Sequence, residues 1–170
     1  MSRRQTYAHI SDKRYNKTKK QGDESEDRFE SLMTKRGHEV IRASVYENKN
    51  LHIDLFVNGE GVDVKGGKRT DYIWLEIQNV FGGKGWLKGK AEWIAFDLVD
   101  ISEYQMYKRE DLLKFVTENV TETTESSKDF MKLYTRKKYG GNDIVVRCNQ
   151  SDINHLLIQS ISYATTETES

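Results

Sequence analysis

The sequence predicts one mixed α/β domain, a central sheet of about four or five strands flanked by helices, which is a normal sheet size. Three observations carry this prediction. Leu51-Ile53-Leu55-Val57 and Val62-Val64 alternate at period two around an Asn-Gly turn signal, as the strands of an antiparallel hairpin do. Between Gly22 and Gly37, Phe29, Leu32 and Met33 recur at helical spacing. The chain has 170 residues, 36% of them hydrophobic, enough for one domain with a substantial core. The expected organisation is a basic, flexible arm over residues 1–22, a domain over 23–163 and a frayed polar tail over 164–170.

The arm comes first. A formal charge of zero hides seven Lys/Arg in residues 1–22 against Asp12 alone, so the arm carries +6 and the remainder −6. Arg14, Lys17, Lys19 and Lys20, with Tyr7 and Tyr15 interleaved, suit phosphate contacts and base stacking; a solvated, disordered arm has the same composition. In the helix that follows, a wheel at about 100° per residue puts Glu26 at the margin of the apolar stripe, Glu30 further round and Glu24 on the far side. Glu26 is the acid placed to lean over a neighbouring sheet, although Asp23 followed by Glu26 also fits a capping box at a helix N-terminus.

The hairpin holds three charges, Asp54, Asp63 and Lys65. If Asn58 to Gly61 form the turn, Asp54 stands opposite Lys65 with Asp63 diagonal to it; if the turn is Asn58-Gly59 alone, Asp54 faces Asp63. Either even-length loop leaves all three on one face, whereas an odd loop or a bulge at Gly61 would not. Two carboxylates about 4 Å apart repel by roughly 4 kcal/mol at an effective dielectric near 20, so a positive group must compensate. Lys65 supplies part of it, and converging hard oxygen ligands are also how a protein holds Mg²⁺ or Mn²⁺.

Tyr72 to Val80 and Glu92 to Val99 read as two further strands, with Leu75 and Ile77 on one face of the first and Trp74, Glu76 and Gln78 on the other. Their glycine-rich connection carries Lys84, Lys88 and Lys90 around Trp86. It is not a nucleotide-binding P-loop, since Lys84 occupies the first glycine position and Ala91 follows Gly89-Lys90. A flexible basic loop there would grip a nucleic-acid backbone; a solubilising turn would look the same. Arg109 to Asn119 reads as a helix, Thr121 to Lys128 as a polar linker, and Met131-Arg136 with Ile144-Cys148 as another hairpin, whose Arg136, Lys137 and Lys138 suit backbone contacts or a charged turn. Ser151 or Asp152 would cap a last helix bearing Ile153, Leu156, Leu157 and Ile161.

A helix with an inward glutamate, then a strand aspartate, a short turn and an Asp-x-Lys on the next strand resembles the PD-(D/E)XK nuclease superfamily, the restriction-endonuclease-like fold that includes Holliday-junction resolvases and small phage nucleases. The resemblance covers about Gly22 to Asp97. Ile53 stands in place of the name-giving proline, and the chain has no proline at all. The resemblance implies that Glu26, Asp54 and Asp63 bind Mg²⁺ (or Mn²⁺) and that Lys65 positions or activates the attacking water. It implies a metal-dependent DNA endonuclease; branch cutting, nicking and duplex cleavage would each suit such a site, and branch cutting would require a homodimer.

Composition narrows the classes. No apolar run is long enough to span a bilayer, and the basic N-terminus lacks the apolar segment of a signal peptide. One cysteine, Cys148, excludes an internal disulfide and a cysteine zinc cluster, so a cytoplasmic protein is expected, in the host cytoplasm if phage-encoded. His9, His38, His52 and His155 lack zinc-ligand spacing, though His52 shares the Asp54 face. Two other classes remain open: a non-catalytic nucleic-acid binder, and a protein-interaction or virion component built on a nuclease fold.

Overall fold

The computed structural model describes residues 3–138 and 140–164, with side chains described from residue 16 and that of Lys138 excepted. The chain builds α1 (Arg3–Lys35), β1 (Val40–Arg42), α2 (Val45–Leu51), β2 (Leu55–Val57), β3 (Glu60–Lys68), β4 (Ile73–Gln78), a 3-10 turn (Trp86–Lys88), β5 (Trp93–Leu98) and β6 (Glu103–Lys108). There follow α3 (Arg109–Asn119), β7 (Thr123–Thr124), β8 (Leu133–Lys138), β9 (Gly141–Cys148), α4 (Gln150–Ile153), a second 3-10 turn and β10 (Leu157–Ser162). The fold is mixed α/β as expected, but the strands form two sheets rather than one of four or five. A six-stranded sheet runs β1-β2-β3-β5-β6-β10, and a four-stranded sheet runs β4-β9-β8-β7. Within the larger sheet β3 and β5 pair in parallel, and the other neighbours are antiparallel.

Two apolar cores follow from strand parity. On one face of the larger sheet, Leu55, Val62, Val64, Ala95 and Tyr104 pack under Phe29 and Met33 of α1. On the other, Ile94, Phe96 and Leu98 meet Ile73, Leu75 and Val146 of the smaller sheet together with Leu112 and Val116 of α3. None of the described helices is long and apolar enough to cross a membrane.

Three local expectations are corrected. The first helix does not begin at Gly22 but runs on from Arg3. Arg, Gln, Ala and Lys favour helix, and a single glycine costs only about 1 kcal/mol. The glycine that serves packing is Gly66 of β3: a Cβ there would come within 3.0 Å of Ser25 Cβ, 3.3 Å of the Gln21 carbonyl and 3.5 Å of Gly22 Cα, so α1 crosses β3 where the strand has no side chain, whereas a Cβ at Gly22 would meet nothing within 4 Å. Asp23 and Glu26 therefore sit mid-helix and form no N-terminal capping box. Finally, the last helix ends at Ile153 under an Asn149 cap, and Leu157 onward turns into a strand. The edge of β6 is otherwise unpaired, Ile158 and Ile161 are β-branched, and pairing with β6 buries Ile161 against the α1 core. The expected tail lies, except for Ala164, outside the described residues.

Candidate active site

The hairpin takes the shorter of its two possible turns. Asn58 and Gly59 have φ of 50° and 82°, the left-handed pair a two-residue turn needs, and Val57 pairs with Glu60 and Leu55 with Val62. The register ends there: Asp54 lies just outside the ladder, and its N–H donates to the Val62 carbonyl rather than pairing with Asp63. Val62 and Val64 point to α1, so Asp63 and Lys65 point to the opposite face. There Lys65 Nζ lies 2.8 Å from Asp63 Oδ1.

Asp54 marks the end of the β2 ladder. Its own N–H still donates to the Val62 carbonyl (2.9 Å), but its Oδ2 accepts the next ladder donor, Val64 N–H, at 2.7 Å. The carboxylate thus lies along the edge of β3, within the plane of the sheet. Oδ1 accepts a hydrogen bond from Asn48 Nδ2 of α2 at 2.7 Å. Asp63 is only 2% exposed, and its Oδ2 is buried with no hydrogen-bond partner among the described residues. An unsatisfied buried carboxylate oxygen beside a second carboxylate wants a proton or a cation.

The electrostatics agree. Burial pushes the Asp63 carboxyl well above the ordinary range; Lys65 opposes the shift, and the like charge of Asp54 adds to it. For Lys65 burial works against the charge, yet Asp63 and then Asp54 outweigh it, so the ammonium is held above the usual lysine range. Lys65 therefore stays protonated near neutrality.

Glu26 reaches the same place from the other side. Its carboxyl is raised to about 7, first by burial and then by the charge of Asp54, with Arg42 opposing. Arg42 of β1 binds it at 3.0 Å and also holds Asp27 at 2.6 Å and Glu30 at 2.5 Å. Glu26 on the helix face and Asp63 on the far face both feel the charge of Asp54 at the sheet edge. The three acids are brought into one neighbourhood but not onto one point: among the described residues no three His, Cys, Asp or Glu side chains stand close enough to hold a metal ion.

Several neighbours carry no motif that sequence reasoning could use. Trp86 was expected to offer its ring to nucleic acid from a flexible loop; it is 7% exposed and joins the core between the sheets, where its ring faces Phe96 edge-on and lies 5.0 Å from Lys65 Nζ. Glu76 of β4 accepts a long hydrogen bond from Trp86 N–H (3.4 Å) and adds negative charge beside Lys65. His52, the left-handed cap of α2 and not a strand residue as its alternation with Asp54 suggests, is held below its usual pKa by burial and then by Lys65, with the Lys84 backbone, Glu76 and Asp54 opposing, so it borders the site. Only the alternation that puts Glu76 on a face with Trp74 was visible beforehand. Arg42 and Asn48 lie on elements with no strong sequence signal.

The basic candidates are dispersed. Lys84, Lys88 and Lys90 are exposed around the Trp86 turn, and Lys17, Lys19 and Lys20 are exposed on α1, with Lys20 3.8 Å from Glu24. Arg14 lies outside the described side chains.

No protein-family model, curated protein or solved structure matches this chain.

Proposed function

We propose that the chain is a metal-dependent endonuclease that hydrolyses phosphodiester bonds in DNA. The observation that carries this reading is the orphaned Oδ2 of buried Asp63, set beside Asp54 and an ion-paired lysine. A carboxylate left half-satisfied in the interior costs stability, and an oxygen-binding cation would satisfy it. Asp54 and Asp63 would hold Mg²⁺ or Mn²⁺, with Glu26 as the acid that completes the set from the helix side. What the ion supplies when bound is a water of lowered pKa and positive charge beside the phosphate.

The remaining work falls to the chain. Hydrolysis joins a water oxygen to phosphorus and breaks a P–O ester bond, so negative charge grows on the phosphate oxygens and on the leaving oxygen. Lys65, held protonated by Asp63 and Asp54, stabilises that charge and orients the water by hydrogen bonding; as an ammonium it has no lone pair with which to act as a base. Trp86 shields one side of it from water, which strengthens its field.

A second reading has an observation of its own. Arg42 occupies Glu26 with a guanidinium, and a chain that has traded a ligand acid for an ion pair would bind nucleic acid without cutting it. One experiment separates the two. With Mg²⁺ or Mn²⁺ the purified protein should cut DNA, and with Ca²⁺ it should bind with little cleavage. Cleavage that persists in excess chelator would overturn the metal mechanism; metal-insensitive binding without cleavage would establish the second reading.

A further inference from the structure

The outer face of the smaller sheet is covered by rings and guanidinium groups. Strand parity puts Trp74 of β4, Arg147 of β9, and Tyr134 and Arg136 of β8 on the face turned away from the core. The Trp74 and Tyr134 rings lie 6.1 Å apart at 33°, and the Arg136 guanidinium sits 5.7 Å from the Trp74 ring. Arg147 lies among three rings, 4.6 Å from Phe130, 5.1 Å from Tyr72 and 5.9 Å from Trp74. Phe130 and Tyr72 are 40% and 37% exposed, large for aromatic residues.

These groups are not explained by stability alone. Arg136 is matched by buried Asp143, but among the described residues no carboxylate pairs with Arg147; it donates to the Ser127 carbonyl at 3.2 Å, and its Nε is buried without a partner. Its positive charge is uncompensated beside the exposed rings of Phe130 and Tyr72, on a face where Trp74 and Tyr134 are half-buried; Lys137, exposed on the neighbouring strand, alternates to the opposite face from Tyr134 and Arg136. Beyond the two residues of β7, the edge of β8 opens into a cleft of about 650 Å³ lined by Thr124, Tyr134, Arg136 and Lys137. That is room for a flat heterocycle beside Tyr134. The face is also continuous with the site: Trp74 and Glu76 share one side of β4, about 7 Å apart along the strand, and Glu76 touches the Trp86 turn that walls Lys65.

We infer that this face is a stacking platform for unpaired nucleotides, so that the site is fed by single-stranded DNA or by the frayed strand of a branched or nicked duplex. Bases with both faces free stack on Trp74 and Tyr134, while Arg147 answers the phosphates. A paired duplex presents neither free base faces nor a flexible backbone to such a surface. The inference names the substrate of the site on the nuclease reading above, but the binding it describes does not require cleavage.

The test uses the full chain in excess chelator and fluorescein-labelled oligonucleotides of about 12 nucleotides, within the usual span of such surfaces. Three are compared by anisotropy titration: an oligothymidine single strand, a hairpin duplex, and a single strand of abasic sugar-phosphates. The single strand should bind at least about fivefold tighter than either of the others. Trp74→Ala and Tyr134→Ala should each weaken single-strand binding about fivefold or more and leave duplex binding within about twofold, and Trp74→Phe should recover most of the loss. Abasic and thymidine strands binding equally, or Trp74→Ala and Tyr134→Ala binding as the parent does with circular dichroism unchanged, would overturn the platform. Should Trp74→Ala unfold, Trp74→Phe and Tyr134→Ala decide the matter. Cleavage without a Trp74 effect would remove the platform and keep the nuclease; a Trp74 effect without cleavage under any metal would do the reverse.

Discussion

Asp63 and Asp97 are the same residue type, on neighbouring strands of one sheet, and each is 2% exposed. Their surroundings are opposite. Asp97 faces α1, where its Oδ2 accepts from Ser25 Oγ and Arg28 Nη1, both at 2.8 Å, and its Oδ1 from Tyr163 OH at 2.7 Å. Asp63 faces the other way, with one oxygen on Lys65 and the other without a donor, beside the Asp54 carboxyl with which it can share a proton. The carboxylate that ties α1 and Tyr163 to the sheet has donors on both oxygens, whereas the one beside a second acid has a cation on one oxygen only. Burial is therefore common to the two aspartates, and what separates them is how far their oxygens are satisfied; on the nuclease reading, that separation is also the line between a structural acid and a ligand.

The largest effect that would test this contrast is on catalysis. Asp63→Ala should leave no detectable DNA cleavage, and Lys65→Ala should slow it by about 10²–10³-fold while Mn²⁺ still titrates calorimetrically, since the ammonium is no ligand. Loss of Mn²⁺ binding in a folded Lys65→Ala protein would show that the roles are misassigned. Next comes stability. Asp97→Asn should cost about 2–3 kcal/mol in urea unfolding because it strips charge from three hydrogen bonds, whereas Asp63→Asn should stay within about 1 kcal/mol of the parent, since it removes a charge that is only half compensated. Equal costs would erase the distinction between the two aspartates.

The smallest effect concerns Glu26. In metal-free protein its carboxyl should titrate at about 7 by carbon NMR. Removing the opposing cation with Arg42→Ala should move that value higher, and removing the like charge with Asp54→Asn should move it lower. A Glu26 that titrates in the ordinary range in all three proteins would place it away from Asp54.

Much of this was legible from local pattern. The alternation of Leu51-Ile53-Leu55-Val57 with Val62-Val64 brings out the hairpin and the shared face of Asp63 and Lys65, but β2 begins only at Leu55: Leu51 ends α2, His52 is its left-handed cap, and Asp54 joins the group along the sheet edge rather than by alternation. The bounds of α3 and the β8–β9 pairing follow from equally local signals. What was not legible depends on distant partners. Ile153, Leu156, Leu157 and Ile161 satisfy a helical period, and only the open edge of β6 decides that the last two of them lie in a strand. Trp86 reads as a loop aromatic until the second sheet closes over it. The hold of Arg42 on Glu26 and of Asn48 on Asp54 required the places of β1 and α2, short elements whose sequences carry little periodicity.

The parallel pairing of β3 and β5 has a consequence for assembly order. The chain leaves the larger sheet after Lys68, builds β4 and the Trp86 turn against the other sheet, and only then returns as β5. β4 in turn is held by β9, some seventy positions further on. Non-local pairings of this kind form slowly, because the closure of long loops precedes any reward. The surroundings of Lys65 are therefore among the last features to mature: Glu76 and Trp86 are near it in sequence, but β4, which carries Glu76, is paired only once β9 arrives. A nascent or truncated chain would carry the Asp54-Asp63-Lys65 hairpin without the wall that surrounds its lysine, so that competence to act would arrive only with the finished molecule.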